Sequence, residues 1–317
     1  MRREEPDITV MEWLMSRSRD INPAPVESLV SFKALTDEET ASFSLPIDRA
    51  VTGGFLADRM AYAFAAGYGA ALVRLVPELP RETIVSLCVS ERGGAHPRAI
   101  ETRLGKTDMA GGKFVLTGKK TFITAAVEAR MLLVAASTGT GRDGKNRIKM
   151  VLVGRDEPGV TITPMTDLPF VPEISHGVVS FAGVAVDECD ILSGDGYLDY
   201  IKPFRTIEDL HVLGAVMGHL LRIAALFTWP QEVVEELLAL TAAVRELAAE
   251  KPLSPALHVA LAGFMTLFDR LLTAIEPLWE ETDARTRAGW MRDRALLSVA
   301  EKARQARRGA AWSYYGY

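Results

Sequence analysis

The sequence predicts an α+β protein made of three successive regions: a short N-terminal helical region, a central antiparallel β-barrel or sandwich, and a C-terminal four-helix bundle. Three observations predict it. Stretches rich in Ala, Leu and Met, mostly free of chain breakers, open and close the chain. Between them, over residues 84–192, runs of Val, Ile, Leu and Phe five or six residues long alternate with turn clusters, the pattern of a sandwich or barrel and not of βαβ units. Length and composition agree: 317 residues, 48% hydrophobic and 24% charged, suit a globular chain with two or three core-forming units.

The N-terminal region, residues 1–83, begins with Ile8–Ser18, which lacks Gly and Pro. Thr36-Asp-Glu-Glu39 has the spacing of a capping box, a Thr and a Glu three apart. Phe55–Leu75 reads as one buried helix, punctuated by Gly53-Gly54 before it and Pro77 and Pro80 after it. Gly67 and Gly69 weaken it by about 1 kcal/mol each.

The middle region, residues 84–192, offers strands at Ile84–Val89, Lys113–Thr117, Met131–Ala135, Ile148–Val153, Val160–Pro164 and Gly177–Phe181. Turn clusters at Gly111-Gly112, Gly139–Asn146, Asp156–Gly159 and Gly183 separate them. The C-terminal region, residues 193–317, offers helices at Phe204–Phe227, Gln231–Glu250, Ser254–Glu281 and Asp283–Trp312. Ser254 before Pro255 suits an N-cap followed by proline at the first helical position. Four amphipathic helices bury their apolar stripes on one another as a bundle.

Charge and composition exclude several classes. A net charge of −5 argues against a nucleic-acid binder. The basic cluster Lys302, Arg304, Arg307 and Arg308 reads as the solvated face of the last helix. Cys88 and Cys189 support neither a disulfide framework nor a cysteine-rich zinc site. None of the five histidines forms H-E-x-x-H, so no metal is expected. His211 and His219, in an apolar helix, read as buried, hydrogen-bonded side chains. Met60–Val73, uncharged, is shorter than the roughly 20 apolar residues a membrane span requires. The opening residues carry no secretory pattern, so a cytoplasmic protein with no membrane partner is expected.

Gly139-Thr-Gly-Arg-Asp-Gly144 matches G-x-G-x-x-G but precedes a strand, not a helix. It reads as a hairpin tip, because a nucleotide fingerprint needs a helix N-terminus for the pyrophosphate. Two other segments carry more. Leu87-Cys-Val-Ser-Glu-Arg-Gly-Gly-Ala-His96 is a strand running into a glycine loop, which lets backbone N–H groups approach a ligand. Leu116-Thr-Gly-Lys-Lys-Thr-Phe-Ile-Thr-Ala-Ala126 places Phe122 and Thr124 two apart, hence on one strand face.

In this order, these segments resemble the acyl-CoA dehydrogenase family of flavoproteins. Cys88-Val-Ser-Glu91 is similar to that family's C-x-T-E-P loop. Gly118-Lys-Lys-Thr-Phe-Ile-Thr124 is similar to its G-x-K-x-[FWY]-I-[TS] strand. Val178–Leu192 is similar to its exit from the middle domain. The resemblance covers about residues 84–311 and is weak before Gly53. It implies bound FAD, with Leu87, Val89 and Ser90 lining the flavin ring, Phe122 stacked on it, and Ile123 and Thr124 close by. It implies α,β-desaturation of an acyl-CoA or other acyl thioester, and a homodimer or homotetramer.

The same resemblance sets out departures. Most members carry the catalytic glutamate beyond the last helix, after a Gly-Gly turn; this sequence runs to Trp312–Tyr317, about where that turn would come, so the usual base is expected to be absent. A subset places it on the first bundle helix, and Glu208, ten residues before Gly218, has that spacing. Glu208 therefore reads either as the base or as a solvated acid near a helix N-terminus beside Asp209. Arg92 stands where the family has proline. His96 stands where the family has a serine that holds flavin and substrate. Thr228-Trp-Pro-Gln231 stands where an arginine reaches a neighbouring subunit's flavin diphosphate. These departures leave a second reading open. In it the chain has lost FAD and catalysis and serves as a binding protein or as the partner of a fuller family member in a heteromer.

Overall fold

The computed structural model describes residues 8–19, 21, 25–107 and 114–317. The expected turn at Gly111-Gly112, and Lys113, lie outside the described residues. The chain folds as two compact units. A helical unit takes residues 1–77, 169–173 and 206–317, and a β unit takes 78–168 and 174–205. The first and third regions of the sequence thus share one unit. The reason lies in their packing: Val10, Trp13, Val51 and Phe55 belong to the same apolar core as Leu220, Phe264 and Trp290.

In the helical unit, α1 (Val10–Arg17) starts with a capping box between Thr9 and Glu12. Helix α2 (Leu29–Glu39) starts at Ser28, whose hydroxyl accepts from Ser31 N–H. Thr36 is therefore not a cap. It lies inside α2 and donates its hydroxyl to Lys33 O at 2.9 Å. The single helix expected over Phe55–Leu75 is the end of one helix and the whole of another: α3 (Pro46–Leu56) and α4 (Met60–Leu75). Extended backbone at Ala57 and Arg59 separates them.

Helix α5 (Lys202–Leu226) follows a π-helical turn at Gly196–Ile201. It is apolar on nearly every side, as a buried central helix must be. Gly54 and Gly218 let α3 and α5 touch backbone to backbone. A Cβ at Gly54 would lie 1.9 Å from Ala215 O, and one at Gly218 would lie 2.0 Å from Val51 O. Helices α6 (Gln231–Ala249) and α7 (Pro255–Ala274) come next, with Pro255 at the first position of α7 as expected. Ser254 occupies the N-cap position but makes no side-chain cap bond. The expected third bundle helix ends at Ala274, and a 3-10 turn over Glu276–Glu281 begins with Pro277 near its start. The expected fourth is two helices, α8 (Ala284–Asp293) and α9 (Glu301–Tyr314), parted by a 3-10 turn at Arg294–Ser298.

Two helical stretches, 196–226 and 255–274, are long and apolar enough to cross a membrane by length and composition, where the sequence had suggested none. Each carries charges, Asp269 and Arg270 in the second, so neither stands out as an uncharged stretch. The first is a core helix, 83% of its apolar window being buried.

Among the described residues the β unit holds one seven-stranded sheet: β1 (Val85–Cys88), β2 (Arg103–Lys106), β3 (Phe114–Thr124), β4 (Met131–Thr140), β5 (Asn146–Gly154), β6 (Val160–Pro164) and β7 (His176–Val186). Its order is β1-β4-β2-β3-β7-β6, with β5 also on β4. Most pairs are antiparallel, but β1 and β2 run parallel to β4. Strand β2 was not anticipated, because Arg-Leu-Gly-Lys lacks a β-branched or aromatic residue. The glycine-rich stretch 139–144 is the tip of the β4–β5 hairpin, as expected.

Candidate functional site

Two neighbouring segments of the β unit bring six of the eight candidate residues together. One is β1 with its continuation to Glu91; the other is the end of β3. Thr121 N–H donates to Ser90 O at 2.8 Å, and the Ser86 hydroxyl donates to Thr124 O at 2.7 Å. Leu87, Val89 and Ser90 thereby run beside Phe122, Ile123 and Thr124.

A buried ion pair fixes this arrangement. Lys120 is fully buried, and its ammonium donates to Glu91 Oε1 at 2.7 Å and to Val89 O at 3.2 Å. The Glu91 carboxylate also accepts from Glu101 N–H at 2.9 Å and Thr102 N–H at 3.0 Å. Burial alone would raise the Glu91 carboxyl. The ammonium and the two backbone N–H groups outweigh it and hold the carboxyl below its ordinary value. Burial lowers the Lys120 ammonium, against the attraction of Glu91. Beside them burial pushes the Cys88 thiol up to about 12, so it stays protonated. Lys120 was not anticipated, because it stands beside Lys119 in a strand that mixes apolar and polar residues, and nothing local marks which lysine is buried.

The β3 strand is bulged between Lys120 and Ile123. Phe122 sits in that bulge with φ of 56°, left-handed backbone that a bulky side chain adopts only under strain. The residue is 62% exposed. The bulge breaks the pleat alternation from which a shared face for Phe122 and Thr124 was inferred. Leu87, Ser90 and Thr124 are half-buried. Ile123 belongs to the β core and Val89 is 6% exposed, so these two present backbone, not side chain, to any ligand at this surface. His96 is exposed, and its Nδ1 accepts from Arg98 N–H at 3.2 Å.

Glu208 lies in the helical unit, half-buried on α5. It is not an N-terminal acid, since α5 begins at Lys202 with no acidic residue in its first turn. Its neighbour Asp209 is the more deeply enclosed carboxylate, 8% exposed. It accepts from Arg304 at 3.1 Å and from Arg307. Burial raises its carboxyl despite both guanidinium groups. Arg304 and Arg307 are therefore not part of a solvated face; they turn inward to hold Asp209. His211 and His219 are 1% and 5% exposed, and burial pushes both down to about 4. Their Nδ1 atoms bond to Ile207 O at 2.7 Å and Ala57 O at 3.1 Å. Among the described residues His211 Nε2 is buried without a hydrogen-bond partner, so only His219 fits the expectation in full.

Comparison with known proteins bears on this geometry directly. The family model "Acyl-CoA dehydrogenase, middle domain" matches residues 86–184, the stretch that holds the six clustered residues. Over this stretch the chain is similar to the acyl-CoA dehydrogenase family. A probable acyl-CoA dehydrogenase of Bacillus subtilis, YngJ, is 40% identical over 25% of this chain and 18% of its own length. Matches to the curated relatives span 18–38% of their lengths. The solved butyryl-CoA dehydrogenase of Megasphaera elsdenii shares the fold with a TM-score of 0.66. It is 13% identical, over 96% of this chain and 94% of that one. FMN-bound TdsC from Paenibacillus has a TM-score of 0.68 and 17% identity, over 96% of both chains. The acyl-CoA dehydrogenase fold thus extends over both units.

Proposed function

We propose that this chain is an FAD-dependent oxidoreductase that desaturates an acyl thioester between its α and β carbons. The observation that carries the reading is Phe122, an exposed aromatic ring held in a strained bulge beside Ser90. Strain of this kind persists where the surroundings over-determine it, and it clusters at ligand sites. The residues fit a flavin. Phe122 offers an aromatic face, Leu87 an apolar flank, and Ser90 and Thr124 hydroxyls for the ring edge. Flavin-bound members of the fold, such as FMN-bound TdsC, support the same reading.

Bound flavin would supply the acceptor for the hydride leaving the β carbon. The chain's own residues do the rest. The Lys120–Glu91 pair fixes the spacing of the two segments, so the ring surface is set before ligand arrives. Glu208, half-buried on α5, would take the α-proton at a carboxylate oxygen. His96 keeps Nε2 for the substrate while Nδ1 holds the loop. The chain would act as a homodimer or homotetramer. The free face of α7, with only 28% of its apolar window buried, supports an oligomer.

The test is the visible spectrum of gently purified protein, before and after addition of FAD. Flavin should be retained, and it should bleach with an acyl-CoA. Glu208→Gln should keep the flavin and lose the bleaching. Bleaching in that variant would remove Glu208 from its role.

One observation favours the second reading, a partner subunit without catalysis. Trp229, in the turn where the family carries an arginine, is 4% exposed and packs edge-on against Trp279 at 5.3 Å. A protein that stays colourless with excess FAD would establish that reading over the first.

A further inference from the structure

The G-x-G-x-x-G stretch at the tip of the β4–β5 hairpin has no part in the candidate site, yet its geometry is closely fixed. Gly139 and Gly144 turn the chain at φ of 117° and 74°, backbone that glycine adopts without strain. Gly144 N–H donates to Gly141 O at 3.0 Å, and Gly141 N–H donates to Lys145 O at 2.8 Å. At the base of the tip the Asn146 amide donates to Pro97 O at 3.0 Å and to Ile100 O at 2.9 Å. Its oxygen accepts from the Ser137 hydroxyl at 2.5 Å. Ser137 N–H donates to Thr102 O at 2.7 Å, where β2 enters beside β4. The hairpin tip, the turn at Pro97–Ala99 and β2 thus brace one end of the sheet.

That end is basic. Arg98, Arg103, Lys106, Arg142, Lys145 and Arg147 all stand exposed on it, in a chain whose net charge is −5. Two exposed carboxylates lie among them. Asp143 accepts from Arg147 Nη2 at 2.9 Å. Glu101 lines a recess of about 540 Å³ together with Arg98, Arg103, Ser137, Thr140 and Asn146. Further along β5, Lys149 donates to Gly194 O at 2.6 Å, next to the acidic stretch 187–199. Asp195 and Asp199 of that stretch accept from backbone N–H groups of their own turn. Among the described residues, six cations against two carboxylates leave this end positive.

The chemistry of the surface selects among polyanions. Single-stranded nucleic acid is held by cations interleaved with aromatic rings. An anionic membrane is held by cations beside apolar side chains that enter it. None of the described residues in 97–107 and 137–147 is an exposed large apolar or aromatic side chain. Between the cations stand short polar groups and the carboxylates Glu101 and Asp143. A uniform phosphate backbone meets those carboxylates unfavourably, whereas a protein can set a hydroxyl or a cation against each. Mixed polar groups of this kind form the rim of protein interfaces, and a preformed positive patch steers an acidic protein onto it.

We propose that this basic end of the sheet docks the acidic surface of a partner protein, with the recess between Arg98 and Arg103 taking one of its carboxylate side chains. The surface uses none of the residues assigned to flavin or substrate, so it stands whatever the outcome for flavin.

The probe is fluorescently labelled poly-L-glutamate, read by anisotropy. A chain of net charge −5 repels it unless a local patch focuses the field. Binding is expected at low ionic strength, weakening as sodium chloride is added. Arg142→Glu combined with Lys145→Glu, both at exposed positions, should weaken it by about tenfold or more. Lys302→Glu combined with Arg308→Glu makes the same change in net charge on exposed positions of α9 and should weaken it by only about twofold. Absence of binding at low ionic strength refutes the surface, and so does an equal loss in the two double variants. Tighter binding to a short DNA duplex or to phosphatidylglycerol vesicles than to polyglutamate would overturn the choice of an acidic protein.

Discussion

Two carboxylates of equal exposure titrate in opposite directions. Glu91 in the β unit and Asp209 in the helical unit are each 8% exposed and each paired with cations. Glu91 is held below its ordinary value and Asp209 is pushed above it. The difference is what surrounds the pair. Glu91 sits at a loop whose backbone supplies two N–H donors. Asp209 is enclosed among helices whose N–H groups are already committed to their own ladders. Two guanidinium groups do not recover what burial removes there. A sheet edge with a loop can satisfy a buried carboxylate; a helix interior lends only side chains.

The contrast can be broken most forcefully in the β unit. Lys120→Met leaves Glu91 buried without its cation and should lower stability by about 3–5 kcal/mol in urea unfolding at pH 7. Adding Glu91→Gln should restore much of that. A loss under about 1 kcal/mol would mean that the backbone donors alone hold Glu91.

Acid separates the two units next. His211 and His219 have folded values near 4, below the ordinary 6.5. The unfolded chain therefore binds more protons between those values, and stability falls as pH drops from about 6.5 to 4. Each histidine should account for about 3 kcal/mol over the full window. The Glu91 contribution is present above the unfolded carboxylate value and is lost only when pH falls through its lower folded value. All five tryptophans lie in the helical unit, so their fluorescence should report acid loosening before strand signals change. Simultaneous loss at pH 3 would contradict this order.

A smaller effect is expected from Arg307→Met, which removes one partner of Asp209. It should cost about 1–3 kcal/mol and raise the Asp209 carboxyl further. Because a raised carboxyl destabilises at neutral pH and is relieved as pH falls through its folded value, the deficit should shrink on mild acidification. A deficit that grows instead would reverse the assignment of Asp209. Smallest is Phe122→Gly, which relieves left-handed strain at an exposed position and should raise stability by about 1 kcal/mol. Flavin retention should fall in the same variant, because the aromatic face is gone. Retained flavin would remove Phe122 from the site.

Much of the fold was legible because its signals are local. Short β-rich runs between turn residues located six of the seven strands, and breaker positions located most helix ends. The misses have one cause: local patterns compete with partners distant in sequence. Thr36 has a cap spacing, yet Ser28 starts the helix. Gly53 and Gly54 look like a stop, yet they lie inside α3, where Gly53 faces Ala66 of α4 and Gly54 admits α5. The clustered site residues were legible as ordered motifs, but the strained bulge at Phe122 was not. Alternation along a strand is assumed until an unpaired residue breaks the register. Asp209 was passed over for Glu208 because spacing cannot report depth.

By itself the sequence determined the kinds of element, their order, the two segments that meet at Phe122 and Ser90, and the family they resemble, since each depends on residues near one another in the chain. Tertiary structure alone decided that the two ends of the chain share one core. It alone decided that Lys120 finds Glu91, that Arg304 and Arg307 turn inward to Asp209, and that Val171 at φ 43° donates its N–H to the fully buried Asp293. Those outcomes depend on desolvation and on partners tens to more than a hundred residues away, quantities that no local pattern encodes.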